Sequence, residues 1–351
     1  QKGFLKQSKK RPKYYKIIDS NLDIAINKEI ILNKIKKIIW MNLKPINQRE
    51  LHGLDYFILD LINLSDKEKL PQQILLSGRK GMGKSTLAFH LINYVLSKNE
   101  DNPYDKKNFQ INNDNKSFVL INKDVNPNVH IIDVLKDKKN IELNQIRQLI
   151  SYLNKSTFDY RPRFVLIDNI EYLNKNSTNA LLKILEEPNK NVYFILINNN
   201  KKIESTIKSR CLNFKINLPF TDIVNITNKL LKIDLFQDLS PDMISHYSTP
   251  GEYYYLFEFC KKNNFDLSDT KLENFLNILI KDFSYKKDPN VKNLIFNFIE
   301  LIFLKKIKDS NIKNYTYELY QKFIKRINMC KNLNLDEESL FLEFQSKVLN
   351  G

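Results

Sequence analysis

The chain has 351 residues, enough for two or three domains, and its 42% hydrophobic content is sufficient to build real cores. The formal charge of +16 is unevenly placed: residues 1–50 hold thirteen Lys and Arg against four Asp and Glu, a net +9 in the first seventh of the chain. Cys211, Cys260 and Cys330 lie far apart without a C-x-x-C pair, which argues against a disulfide framework or a thiolate zinc site, and the longest apolar tract, 294–304, is too short and too polar to span a bilayer.

Residues 1–20 are basic, with Tyr14 and Tyr15 interleaved, and little fixed structure is expected there. Lys, Asn and Ile are abundant throughout, as an AT-rich coding bias would produce, so the charge alone does not prove a nucleic-acid partner. Contact with a polyanion and a solvated tail both remain open for this arm. From Glu29 to Met41, apolar residues at Ile31, Ile35, Ile38 and Ile39 have helical spacing, which predicts a short amphipathic helix ended by Pro45, with Trp40 as a packing residue. No cleavable signal pattern opens the sequence, and a reducing, cytoplasmic setting is expected.

From Leu51 the pattern becomes regular. A helix is predicted around 55–64, then a strand over 73–77, followed by Gly78-Arg79-Lys80-Gly81-Met82-Gly83-Lys84-Ser85 and a helix through about Leu96. The octapeptide fits G-x-x-x-x-G-K-[ST] in its required setting between strand and helix. Glycines let the backbone wrap a polyphosphate, N–H groups and the helix dipole hold the anion, Lys84 reaches the outer phosphates, and Ser85 offers a ligand to Mg²⁺. Three of the chain's seven glycines fall within the six positions 78–83, which lowers the chance of an accidental match. The motif implies a nucleotide without saying which reaction follows.

The Asn-rich segment 98–127 is expected to be a loop or loosely ordered excursion. A strand is then predicted at 129–132 and a helix from Glu142 to about Leu153. Phe164-Val165-Leu166-Ile167-Asp168 has the form of a buried parallel strand delivering an acid to a site at its carboxyl end, where Asp168 is expected to organise Mg²⁺ through water. Residues 174–188 read as a helix capped by Asn or Ser and stopped by Pro188, followed by a buried strand over 192–197 and a short one over 212–216. Alternating strands and helices predict a mainly parallel α/β sheet covered on both faces. Beyond Pro219 the patterns are helical, over about 221–232, 241–247, 251–262, 271–283, 290–308, 313–332 and 336–349, which predicts two all-α modules. The dense aromatics at 253–259 are read as core.

Taken together, Gly78–Ala88, Phe164–Asp168, Asn174–Pro188, Val192–Asn199 and Ser209-Arg210-Cys211 resemble the clamp-loader branch of the AAA+ ATPases, with the bacterial DNA polymerase III delta-prime type as the nearest pattern. The A-L-L-K-x-L-E-E-P run followed by S-R-C carries the specificity, and the likeness covers roughly residues 51–262. The basic extension over 1–50 lies outside the likeness, which implies an AAA+ P-loop domain over 51–219, a small helical lid over 220–264 and a C-terminal helical collar over 265–351 that joins five subunits. Such a ring uses ATP to place a sliding clamp on primed DNA, with gamma/tau-like motor and delta-like subunits as partners and no membrane. By position, Gly78, Gly81, Gly83, Lys84, Ser85 and Thr86 would contact ATP, and Ser85 and Asp168 would serve Mg²⁺. Asn198 or Asn199 would be the first sensor residue, and Arg210 the finger inserted into a neighbour's site. Three departures stand out: Asn169 occupies the place of the glutamate that activates water, the lid lacks its arginine and offers Glu252 beside Gly251, and no cysteine module follows the P-loop helix, so zinc is not expected. The resemblance therefore points to a subunit that binds ATP and hydrolyses it poorly. The alternatives are an active gamma/tau-type ATPase using Glu171, a P-loop kinase, or a DNA-binding protein using the basic arm.

Overall fold

A computed structural model describes residue 27 and residues 44–136, 138–155, 159–309, 313–333 and 336–349. The expected basic stretch 1–20 and the helix over 29–41, including Trp40, lie outside the described residues. In chain order, helix α1 (Asp55–Asp66) is followed by β1 (Gln73–Ser77), α2 (Lys84–Leu96), α3 (Lys116–Asn122), β2 (Val129–Ile132), α4 (Leu143–Leu153), β3 (Arg163–Ile167), α5 (Lys175–Glu186), β4 (Val192–Asn198), α6 (Ser205–Lys208) and β5 (Leu212–Lys215). The strands form one parallel sheet in the order β2-β3-β4-β1-β5. Pairing of Ser77 with Asn198 and of Ile167 with Leu196 brings the carboxyl ends of the three central strands level. That edge is where an open α/β sheet places its ligand.

Successive strand residues point to opposite faces, and residue parity therefore divides the core in two. Ile74, Leu76, Phe164, Leu166, Ile195 and Ile197 pack with α1 and α2. Leu75, Val165, Ile167, Phe194 and Leu196 pack with Ile146 and Leu149 of α4 and Leu181 and Leu185 of α5. The first core does not stop at the sheet. It continues through α7 (Phe220–Leu231), past the single-turn α8 (Leu235–Asp238), into α9 (Pro250–Asn263), and then into α10 (Leu272–Lys281), α11 (Ser284–Lys287), α12 (Pro289–Asp309), α13 (Lys313–Leu333) and α14 (Glu338–Phe344). The molecule is thus an α/β domain on a five-stranded parallel sheet, followed by helices alone, as the strand and helix patterns predict.

Local chemistry explains the placement of the site elements. Buried Arg163 donates to the carbonyls of Tyr152, Leu153 and Lys155, closing the carboxyl end of α4 with a cation. Asn174 caps α5 through Ser177 N–H, as its position before the apolar face suggested.

Two expectations are corrected. The Asn-rich segment 98–127 contains α3 and packs Tyr104, Ile111 and Ile121 into the core, because its asparagines act as caps rather than as solvated loop: buried Asn115 accepts from Phe118 N–H and from Asn93. The helix expected over 241–247 is a single 3₁₀ turn, Pro241–Met243, beside the one-turn α8. Among the described residues no helix is long and apolar enough to cross a membrane.

Candidate functional site

The loop between β1 and α2 is shaped by its glycines. Gly81 and Gly83 have φ of 87° and 81°, values that disfavour any side chain, and a Cβ on Gly81 would lie 2.4 Å from Thr249 Oγ. Lys84 is only 3% exposed, and its ammonium donates to the carbonyls of Gly78 (2.9 Å) and Arg79 (2.6 Å). Burial draws its pKa down to about 8, against the pull of Asp168 and Glu171, which favour the charged form.

The carbonyls of Lys80 and Gly81 accept from Thr249 Oγ (3.0 Å) and Gly251 N–H (3.0 Å) at the start of α9. Four consecutive loop carbonyls are therefore occupied by donors. A loop whose carbonyls are held in this way presents its N–H groups to an anion.

The acid expected at the end of β3 is in place. Ser85 Oγ donates to Asp168 Oδ2 at 2.6 Å, and Asn169 N–H donates to the other oxygen. Desolvation raises the Asp168 pKa, neighbouring Asp133 adds to the rise, and Ser85, Asn169 N–H and Lys84 oppose it. A Ser–Asp pair beside a buried ammonium suits a phosphate-bound Mg²⁺, which would take the Ser85 hydroxyl and face Asp168.

Asn169 sits in the left-handed region at φ 57° and donates from its amide to Asp133 Oδ1 at 2.7 Å. Its side-chain Oδ1 accepts from Asn199 Nδ2 at 2.7 Å, and the same Asn199 nitrogen lies 3.1 Å from Glu171 Oε1, while Asn199 N–H donates to Glu171 Oε2 at 3.2 Å. Of the two sensor candidates, Asn199 therefore joins the cluster at the sheet edge. The side chain of Asn198 is spent on the Lys201 backbone, and its carbonyl accepts from Gly78 N–H.

Arg210 stands apart from this cluster, after the short α6. Its guanidinium donates to Thr206 O (2.9 Å) and to Glu186 Oε1 (2.6 Å), with the side chain 32% exposed. The adjoining Cys211 thiol is pushed up to about 11 by burial, so it packs rather than reacts.

Sequence patterns did not reveal the second wall of the site. A cavity of about 170 Å³ opens beside Gly81, Gly83 and Thr86 and is lined by Leu51, His52, Ile226, Leu230, Pro250 and Tyr254, among others. Mostly apolar and next to the phosphate loop, it suits a flat heteroaromatic base. Gln48, another lining residue, is held through its carbonyl by buried His90, which stays neutral because burial lowers its pKa to about 4 and which also contacts the Tyr104 hydroxyl. The signal in the sequence was the capping box Thr249-x-x-Glu252 around Pro250-Gly251. Glu252 itself lies 3.5 Å from Arg79 of the phosphate loop. Among the described residues, no group of three or more His, Cys, Asp or Glu could hold a metal ion by itself.

Comparison with known proteins finds three kinds of likeness. A family profile described as DNA polymerase III, delta subunit, matches residues 55–219. DNA polymerase III subunit gamma/tau of Mycoplasma genitalium is 26% identical over 329 residues, 85% of this chain, which spans 50% of that protein's length. DNA polymerase III subunit delta' of Buchnera aphidicola subsp. Schizaphis graminum is 25% identical over 311 residues, covering 81% of this chain and 92% of the relative. Among solved structures, a DNA polymerase III gamma subunit-related protein of Thermotoga maritima aligns over 82% of this chain and 97% of its own with 18% identity and a TM-score of 0.45.

Proposed function

From the premise that this chain belongs to the AAA+ clamp-loader family, we propose that it is a delta-prime-like ring subunit that binds ATP with Mg²⁺, hydrolyses it slowly and supplies Arg210 to the site of a neighbouring motor subunit. Its partners are gamma/tau-like and delta-like subunits, and through the assembled ring a sliding clamp and primed DNA. The cradle, Ser85 and Asp168 hold the phosphates and Mg²⁺, and the cavity at Tyr254 and Ile226 takes the base. Bound Mg²⁺ would supply charge neutralisation on the phosphate oxygens.

The observation that carries the reading is Asn169. At the position following Asp168 the chain has an amide committed to Asp133 and Asn199, a group that cannot take a proton from water. Loss of a positioned base costs about 10²–10⁴ in rate. A finger donated in trans is worth about 10³–10⁵ in kcat, so a slow subunit still controls turnover next door. In the reconstituted ring, Arg210→Ala is expected to cut clamp- and DNA-stimulated ATPase at least tenfold; undiminished turnover would refute the finger.

The second reading, an active gamma/tau-type ATPase, is favoured by Glu171, whose carboxylate Asn199 grips from both its backbone and its amide at the edge of the cradle. The two readings separate in single-turnover hydrolysis by the isolated chain. On the first, Asn169→Glu speeds cleavage and Glu171→Gln changes little. On the second, Glu171→Gln abolishes a rate that is already normal.

A further inference from the structure

Glu252 occupies the junction of three parts of the molecule. One carboxylate oxygen lies 3.5 Å from Arg79 Nη2 of the phosphate loop and accepts from Asn297 Nδ2 of the collar helix α12 at 3.2 Å. The other accepts from Thr249 N–H at 2.9 Å, closing the cap of the lid helix α9. The cap residue, Thr249, in turn donates to the loop carbonyl of Lys80, and the next but one, Gly251, donates to Gly81 O. The contact is tight as well as polar: a Cβ on Gly251 would come 2.6 Å from Gly81 Cα. A cavity of about 290 Å³, lined by Arg79, Glu252, Asn297, Glu300 and the lid residues Ser245 and Tyr247, leaves the collar side of this junction room to move.

We propose that Glu252 is a positioning residue that couples the conformation of the phosphate loop to the collar, through Arg79 on one side and Asn297 on the other. The loop cannot shift at residues 79–81 without disturbing either the Arg79 pair or the two backbone contacts to α9. Because α9 begins with the cap that Glu252 closes, a shift of the loop is delivered to α12 as a change at Asn297. The chain thus places an acid at the lid, paired with a basic residue inside the loop, and links both to the module that joins subunits.

The test has two arms on the full chain. The first rests on the proposed nucleotide binding. Coupling is reciprocal, so a collar change must alter affinity at the loop: Asn297→Ala is expected to shift the Kd for Mg-ADP by roughly fivefold or more, whereas Lys286→Ala, which breaks an exposed collar ion pair with Glu338, leaves it unchanged. Equal Kd values for wild type and Asn297→Ala would overturn the coupling, while failure of the wild type to bind Mg-ADP would refute the nucleotide reading alone and leave the second arm to decide. That arm uses no nucleotide. Hydrogen exchange of residues 294–301 is expected to quicken at least severalfold in Gly81→Ala and in Arg79→Met, and neither change should add anything in a Glu252→Gln background. Additive effects, or exchange in 294–301 that ignores both loop variants, would overturn the proposal.

Discussion

Lys84 shows how a single residue's environment sets a measurable property. Its ammonium is buried against two carbonyls, and its pKa falls from 10.5 to about 8, a difference of about 3 kcal/mol between protonation states. Between these two values the unfolded chain holds a proton that the folded chain has released, so raising the pH through this window favours folding. Below pH 8 both states are protonated, and above 10.5 neither is. In buffer free of nucleotide and phosphate, the stability of wild type relative to Lys84→Met is therefore expected to rise by about 3 kcal/mol from pH 8 to 10.5. Denaturant unfolding at several pH values checks this, and a difference independent of pH would contradict it. The identity of Lys84 was legible from its motif, but its burial was not, because the carbonyls that hold it depend on a loop conformation set partly by residues near position 250.

At the scale of elements, Arg163 is the clearest case of a side chain completing a helix. Its guanidinium satisfies three carbonyls at the end of α4 from a fully buried strand. Arg163→Met keeps the bulk but leaves those carbonyls unpaired and removes the cation from the negative end of the helix dipole. The expected loss is about 2 kcal/mol, read as a lower denaturant midpoint with an unchanged slope; a midpoint within experimental error of wild type would show that the carbonyls find other partners. The strands around Arg163 were readable because apolar runs bounded by Asn, Gly and Pro have few alternatives. Segment 98–127 was not, because a capping asparagine and a loop asparagine are the same letter, and burial at Asn93 and Asn115 distinguishes them.

At the scale of the whole molecule, the resemblance singled out Arg210 by its S-R-C setting as a proposed finger, while its partner Glu186, from the end of α5, was not foreseen. Ion pairs this exposed contribute about 0–1 kcal/mol. Arg210→Ala is accordingly expected to leave the denaturant midpoint of the isolated chain almost unchanged, so that a loss of ring ATPase in the same variant reports on the neighbour's site and not on unfolding. The seam between Gly81 and Gly251 was also beyond the sequence, since it joins residues 170 positions apart through contacts that no period or motif encodes.

The division of strand side chains by parity makes Val165 and Leu166 peptide neighbours that report on different halves of the protein. A fluorine label at 166 would sit in the interior that runs on into the helices from α7 to α14, and one at 165 in the interior closed off by α4 and α5. Spectra of the two labels, recorded as subunits are added, would tell whether assembly is felt throughout the fold or along one side of the sheet.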